Sequence, residues 1–504
     1  MGSVRLLASR ATSVDDDRAA ANDNVLQRAA TALQAAEQQD QDAFYAAHVA
    51  ACASLYSSRI EVDGNTTLAA IVNASLYGLM TALRGEVTYS TSPGGLATNT
   101  YHGHTFWDVE TWMWPTLNLF YPDIALSVLT YRSNRLGAAE SIARSHHMDG
   151  AMFPWESAFT GQETDPAPGT LNEEHIQGDI AFAFRQYFQA TGDGAWLNST
   201  GYDVLAKVAA FWASKAQRNS DGSYSIPDIM GPDEYHGGVT DSVYCNVIAQ
   251  LSLQTAHDWA ARVGRAPNAT LQTIAQNLRV LFNASTGIHP EYLGYDGSTV
   301  KQADTILIGY PLGYNMTAAV RAADLNYYRE RTDPHGPAMT WGMFSIGYRD
   351  VGLAAEADDF FQQSFEGNLV GPFLRWAEVK GGGGAFNFIT GAGGFLQTVW
   401  AGYGGARLTD DVLELRAPSP LPGSTGLLLR GLAYQGGRFT VEARQSPAGW
   451  TLTLAHGGDA SSFELAVVAA AGVIPTPDQW QPLPAGQPQA FQIGSVVLVR
   501  SKSA

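Results

Sequence analysis

The sequence predicts a mainly α-helical chain that closes with an antiparallel β-domain. Residues 66–404 alternate apolar stretches of helical period with Gly/Pro/Asn loops. After about residue 406 the period changes, and apolar and polar residues alternate between Gly/Pro turns. At 504 residues the chain exceeds one small core, so two to four domains are expected.

In chain order, VRLLASRATS at 4–13 reads as one strand with no partner nearby, and a single strand cannot make a sheet. Residues 19–58 read as helix, with Leu26, Ala29, Leu33 and Ala36 keeping the period. These readings divide the chain into a remnant strand (1–18), a helical linker (19–65), a helical domain (66–405) and a β-domain (406–504). Within 66–405 helices are expected near 66–84, 108–120, 123–134, 136–147, 174–191 and 202–217, then near 242–263, 269–282, 316–328, 340–350, 354–364 and 391–402. A dozen helices with long loops suggest helix pairs around an axis, without a solenoid repeat. VLELRAP, GLLLRGLAY, RFTVEAR, WTLTLAH and SVVLVR give the last region the pattern of an antiparallel β-sandwich.

Composition narrows the function. The net charge of −18 argues against nucleic-acid or anionic-membrane partners, which need a basic face. The longest apolar run, LAVVAAAGVI at 465–474, is too short to span a bilayer. Cys52 and Cys245 sit in apolar helical contexts, so buried free thiols are expected and disulfides are not the scaffold. N-x-S/T sequons at Asn65, Asn73, Asn198, Asn268, Asn283 and Asn315 exceed chance and weakly favour a secretory route; turn chemistry is the competing explanation. The start, MGSVRLLASRATSVDDD, lacks the apolar core of a signal peptide. Aromatic residues make up 11%, which suits either flat amphipathic ligands such as sugars or simply large cores.

The loops between helices carry the candidate chemistry. GPDEYH at 231–236 sets Asp233 and Glu234 on a Gly-Pro turn, read as a solvated bend or a general acid at a pocket mouth. GHTFWDVETWMWP at 103–115 holds Trp107, Asp108 and Glu110, and acids at a helix start also favour the helix dipole. His102 and His104 raise a metal question, but no third spaced His/Cys set follows and no metal is expected. GAMFPWESAFTGQETDP (150–166) offers Trp155, Glu156 and Glu163. LNEEHIQGDIAFAF (171–184) places Glu173, Glu174 and His175 at a helix start, where capping is the plain reading. In KQAD, Lys301 and Gln302 can donate to sugar hydroxyls or face solvent. FLRWAEVKGGGGAFNFITGAGGF (373–395) sets Glu378 beside Trp376 ahead of four glycines. No GK[ST] follows, so a mobile loop is expected there rather than a phosphate cradle. Glycoside hydrolysis needs two carboxylates flanking one bond, and Glu234 with Glu378 are the candidates.

These loops together resemble family 65 glycoside hydrolases and phosphorylases. The stretches GHTFWDVETWM, GAMFPWESAFTGQE, EEHIQGDIAFAF, GPDEYHGGVTDSVYCN, VKQADTILIGYPL, GPAMTWGMF and AFNFITGAGGFLQ carry the resemblance, in order, over about 85–405. The resemblance implies an (α/α)6 barrel with β-sandwich domains and a helical linker. It also implies that the N-terminal β-sandwich is missing apart from the strand at 4–13. It assigns the general acid to Glu234 and, in the hydrolase branch, the general base to Glu378 of Trp376-Ala377-Glu378. Around that base, RWAEVKGGGG departs from the family's W-T-E-N-A-D-G pattern. Trp107, Asp108, Trp155, Glu156, Lys301 and Gln302 match positions that hold glucose in the −1 subsite.

The resulting expectation is an inverting α-glucosidase acting on an α-1,2-linked glucoside, of glucosyl-galactosyl or kojibiose type. Inversion requires carboxyls about 6.5–9.5 Å apart. A disaccharide phosphorylase and a truncated, non-catalytic sugar-binding remnant stay open as alternatives. The expected partner is a carbohydrate, with no cofactor, no nucleic acid and no membrane; a homodimer is an allowed assembly.

Overall fold

The structure is a computed structural model describing residues 25–165, 172–445, 449–456 and 462–502. The expected segment 1–18, with its strand at 4–13, lies outside the described residues. The chain divides into two compact units, residues 1–59 and 60–504.

In the first unit two helices, Val25–Glu37 and Gln41–Leu55, replace the single helix expected over 19–58. Asp40 divides them. Its carboxylate accepts the N–H groups of Asp42 and Ala43 at 3.0 Å each, which caps the second helix. Cys52 lies on that helix half-buried, with Sγ 3.6 Å from His48 Nε2, so the expected full burial holds only for Cys245.

The second unit begins with a departure from the linker reading. Arg59–Asp63 is a strand, and it carries residues 60–63 into a five-stranded sheet with the end of the chain. Its burial alternates, Ile60 and Val62 in, Glu61 and Asp63 out, which is the period of a half-buried strand. The sheet continues through Gly426–Tyr434, Gly437–Arg444, Trp450–His456 and Gln489–Phe491. The central pairings are antiparallel, with Val441 opposite Leu429 and Leu452. A second five-stranded sheet orders Gln481–Pro482, Phe463–Val468, Val496–Ser501, Leu413–Arg416 and Ala406–Leu408. Phe439 of the first sheet meets Phe463 of the second edge to face, centroids 5.2 Å apart.

The helical segments fall where the 3.6-residue period puts them. They include Thr66–Ala82, Pro122–Asn134, Ile176–Thr191, Tyr202–Lys215, Val243–Trp259, Ala318–Arg329, Thr340–Asp350 and Ala354–Gln363. Sequential helices pack on one another, Tyr202–Lys215 on Val243–Trp259 and Thr340–Asp350 on Ala354–Gln363. Among the described residues no helix is long and apolar enough to cross a membrane.

The stretch expected as one helix over 108–120 opens with a wide π-turn, Asp108–Met113, before Trp114–Phe120. Ile389–Gln397 packs against this turn and against Thr66–Ala82. The approach is close enough that a Cβ on Gly393 would stand 2.4 Å from the Trp112 carbonyl oxygen. Glu110 is not a dipole-favouring surface acid. It is buried, and the Arg132 guanidinium donates to both its oxygens, Nε at 2.6 Å and Nη2 at 3.1 Å.

Three sequon asparagines have structural work. The side-chain oxygens of Asn65 and Asn268 cap helices by accepting the N–H groups of Leu68 and Thr270, and that of Asn283 accepts the N–H of Ser285 in a turn.

Candidate active site

Loops at the helix ends bring the singled-out residues together. GPDEYH is built around Asp233, which is fully buried. Its Oδ1 accepts the N–H of Lys301 at 2.6 Å and of Tyr235 at 3.2 Å, and its Oδ2 lies 2.5 Å from His236 Nδ1. The Asp233 N–H donates in turn to Asp304 at 2.9 Å. Asp233 therefore fixes the bend and ties it to KQAD, and the next side chain, Glu234, is held by side chains of that same segment. Lys301 Nζ reaches Glu234 Oε2 at 2.5 Å, and Gln302 Nε2 reaches Oε1 at 3.3 Å. Gln302 also donates to the Pro232 carbonyl at 2.5 Å, so the donor pair and the acid loop are one rigid piece.

Asp233, His236 and Glu291 bring three ligand-type atoms within 4.8 Å of one another, whereas His102 and His104 form no such group among the described residues. Burial, with Asp304 and Asp233 adding repulsion, pushes the Glu291 carboxyl well above the usual range.

Glu378 lies on a separate element, the strand Arg375–Val379. The four glycines do not form the mobile loop expected. Leu369–Val370, Arg375–Val379 and Gly383–Phe386 make a three-stranded antiparallel sheet. Gly384 must be glycine twice over, with φ of +69° and a would-be Cβ 2.8 Å from Glu378 Oε2. The next residue, Ala385, donates its N–H to that oxygen at 2.7 Å. The other oxygen accepts the Tyr101 hydroxyl at 2.9 Å. Tyr101 and His102 both hold left-handed backbone angles, φ 56° and 53°. Two such non-glycine residues in a row are strained, and strain of this kind gathers at functional sites. Burial raises the Tyr101 phenol, and the charge of Glu378 raises it further, so it stays a donor.

Asp108 is buried and feels the charge of both acids. Its Oδ1 accepts the Thr390 hydroxyl at 2.6 Å. Burial raises its pKa, the Thr390 bond opposes, and repulsion from Glu234 and Glu378 adds, leaving it at about 7. A carboxyl that feels both Glu234 and Glu378 requires both to lie near it, as Coulomb coupling falls with distance. Trp107 and Trp155 both meet the buried His175 ring edge-on, at 4.8 and 5.3 Å. Trp107 is packed in the wall, 2% exposed. Glu156 Oε1 lies 2.5 Å from His104 Nδ1. Glu163 braces this loop, accepting the N–H groups of Trp155, Glu156, Thr164 and Asp165 at 2.8–3.1 Å.

Sequence reasoning missed Tyr101 and Thr390 as partners of the acids. It also read Glu173 and Glu174 as caps, yet the helix Ile176–Thr191 has no side-chain cap bond. Glu174 instead pairs with Lys215 at 2.6 Å. A separate cavity of about 920 Å3 lies away from all of these residues, near Asp410, Glu464 and Trp480. Two of its acids are already paired, Asp410 with Arg185 and Gln189 and Glu464 with Arg500.

Residues 73–296 match the model of the glycosyl hydrolase family 65 central catalytic domain. Protein-glucosylgalactosylhydroxylysine glucosidase of Dictyostelium discoideum is 41% identical over 409 residues, covering 79% of this chain. Kojibiose hydrolase of Mucilaginibacter mallensis is 37% identical over 388 residues, covering 76%. The chain spans only 56% and 57% of the lengths of these two relatives. Among solved structures, a putative kojibiose phosphorylase from the human microbiome shares the fold, with a TM-score of 0.78 at 18% identity over 93% of this chain and 69% of that one. The matched region contains Trp107, Asp108, Trp155, Glu156 and Glu234, whereas Lys301, Gln302 and Glu378 follow it in the chain. Residues 73–296 are thus similar to the central catalytic domain of glycosyl hydrolase family 65, and the chain is similar to glucosidases and hydrolases over most of its own length.

Proposed function

We propose that this protein is an inverting α-glucosidase that releases glucose from an α-1,2-linked glucoside. The observation that carries the proposal is a pair of held carboxylates, Glu234 bonded by Lys301 and Gln302 and Glu378 bonded by Tyr101 and the Ala385 N–H, both of which act on the buried Asp108. Glu234 acts as the general acid. It protonates the glycosidic oxygen, and Lys301 and Gln302 hold it in place. Glu378 acts as the general base. With one oxygen on Tyr101 and the other on Ala385 N–H, it is oriented to take a proton from a water on the opposite sugar face. Asp108 and Glu156 accept sugar hydroxyls, and Trp107 and Trp155 form the wall behind them. The helices of residues 66–405 form an (α/α)6 barrel around this site, and residues 406–504 form a β-sandwich. The 1,2-linkage follows the relatives named as kojibiose hydrolase and glucosylgalactosylhydroxylysine glucosidase.

The test is hydrolysis of kojibiose followed by proton NMR in phosphate-free buffer. β-Glucose should appear first. Glu378→Gln should lower kcat about 10²–10⁴-fold, the contribution of one general base, with KM within a few-fold. Wild-type turnover in that variant, or product only when phosphate is added, would overturn the proposal.

A further inference from the structure

Glu234 shares the tip of its bend with Tyr235. The His236 N–H donates to the Asp233 carbonyl at 3.2 Å, which closes a turn with Glu234 and Tyr235 at its two central positions. These are the outermost positions of a turn, and both side chains reach solvent. The Glu234 side chain is 32% exposed and Tyr235 is 53% exposed. Consecutive Cα atoms are about 3.8 Å apart, so the Tyr235 ring starts directly beside the acid.

Two joined segments hold the pair. Lys301 Nζ holds Glu234 at 2.5 Å. The Tyr235 hydroxyl donates to Asp333 Oδ2 at 2.8 Å, and Asp333 Oδ1 is itself fixed by the His335 N–H at 2.8 Å. Val300, the neighbour of Lys301, accepts the Asp333 N–H at 2.8 Å and donates to the Arg331 carbonyl at 2.9 Å. Farther along the same segment, Ala338 donates its N–H to the Glu378 carbonyl at 2.8 Å. The ring is thus fastened to the stretch that runs from the acid's holder to the strand of Glu378.

That fastening decides what Tyr235 can offer. Its hydroxyl is already used by Asp333, so what remains is the face of the ring. Trp107 and Trp155, 2% and 8% exposed, are packed into the wall, whereas the Tyr235 ring is ordered and open. A general acid protonates the leaving-group oxygen, so the departing sugar lies on the acid's side. The C–H face of a pyranose is apolar, and covering an aromatic ring with it removes apolar area from water. A ring already held by its hydroxyl loses little freedom in the process.

We propose that Tyr235 is a specificity-determining residue whose open ring stacks against the apolar face of the departing sugar. The proposal rests on the reading of Glu234 as the general acid.

The test uses the full chain with kojibiose and with ethyl α-glucoside, whose leaving alcohol needs a proton but has no ring. Tyr235→Ala should lower kcat/KM for kojibiose roughly 10- to 50-fold, mainly through KM, as expected when apolar contact area is lost. Turnover of ethyl α-glucoside, and its inhibition constant against kojibiose, should stay within about threefold. Tyr235→Phe keeps the ring and loses only the bond to Asp333, so it should retain most of the preference for kojibiose. Equal loss on both glucosides would make Tyr235 a mere brace of the acid loop and overturn the proposal. So would no loss on either, or a Tyr235→Phe variant as unselective as Tyr235→Ala. If Tyr235→Ala does not fold, Tyr235→Leu, which keeps bulk without a flat face, is read by the same criteria. Failure of the underlying reading is separable, because Glu234→Gln would then keep its turnover on both glucosides whatever the Tyr235 variants do.

Discussion

Asp350→Asn removes a charge that three arginines share. The Asp350 side chain is 6% exposed at the end of the helix Thr340–Asp350. Arg407 donates to both its oxygens at 2.9 and 3.1 Å, Arg321 Nη1 approaches Oδ2 to 2.9 Å, and Arg416 stands at 3.6 Å. Burial alone would push this carboxyl up, but Arg407, Arg321 and Arg416 outweigh it and hold it well below the usual carboxylate range. Arg321 and Arg407 are only 14% and 11% exposed, so without the carboxylate they remain as buried, uncompensated charge. Breaking a buried pair from one side costs about 3–5 kcal/mol. Arg416 softens the loss slightly, because it keeps Glu414 at 2.7 Å. Unfolding entropy for a unit the size of residues 60–504 is about 0.9 kcal/mol per kelvin, so the midpoint should fall by about 3–5 °C. Scanning calorimetry at pH 7 reads this directly. The sign with pH is also fixed. The stabilisation is present above the unfolded carboxyl's pKa, near 4, and is lost as pH falls through the depressed native value. The variant and wild type should therefore converge in strong acid. A midpoint within 1 °C of wild type at pH 7 would refute the reasoning.

Two further outcomes follow from the packing and the buried acids. Gly393→Ala forces a Cβ to within 2.4 Å of the Trp112 carbonyl and 2.9 Å of Met113 Cα. It should cost about 1–3 kcal/mol and lower kcat by displacing the turn that carries Asp108, whereas Gly137→Ala, with nothing within 4 Å, should be neutral or slightly stabilising in the same melts and assays. The raised carboxyls of Asp108 and Glu174, each at about 7 and raised chiefly by burial, keep their protons in the native state after the unfolded chain has released them near pH 4. With Glu173 adding to the same trend up to about 9, stability from these groups is complete below pH 4 and drains away as pH rises to 7–9. A thermal midpoint that peaks in weak acid is expected, and a peak at pH 8 or above would contradict it.

The helical frame was legible because periodicity is local. Leu68, Ile71, Val72, Leu76 and Leu79 announce the buried face of Thr66–Ala82 without reference to anything distant. Glu234 and Glu378 were singled out together only through the motifs around them, since neither loop by itself says where the other lies. The residues that escaped all depend on partners far along the chain. Tyr101 reaches Glu378 across 277 positions, and Thr390 reaches Asp108 across 282. Glu110 looked like a helix-start acid because Arg132 lies outside its local window. The glycines at 381–384 suggested mobility, yet they are what lets a hairpin close tightly over Glu378. Arg59–Asp63 was absorbed into the helical linker because its sheet partners lie at the other end of the sequence.

That last strand has a consequence for how the protein is made. Glu61 is bonded to Arg430, 369 residues later. At ribosomal speeds of about 5–20 residues per second, residues 60–63 wait roughly 20–70 s before the strand they pair with has been synthesised. Throughout that time a β-segment with Ile60 and Val62 on one face stands without its neighbour while the helices after it are already folding. The sheet that contains it stays incomplete until Gln489–Phe491 has been made, near the end of the sequence, and the waiting strand is where a chaperone, or another nascent copy, would find its first hold.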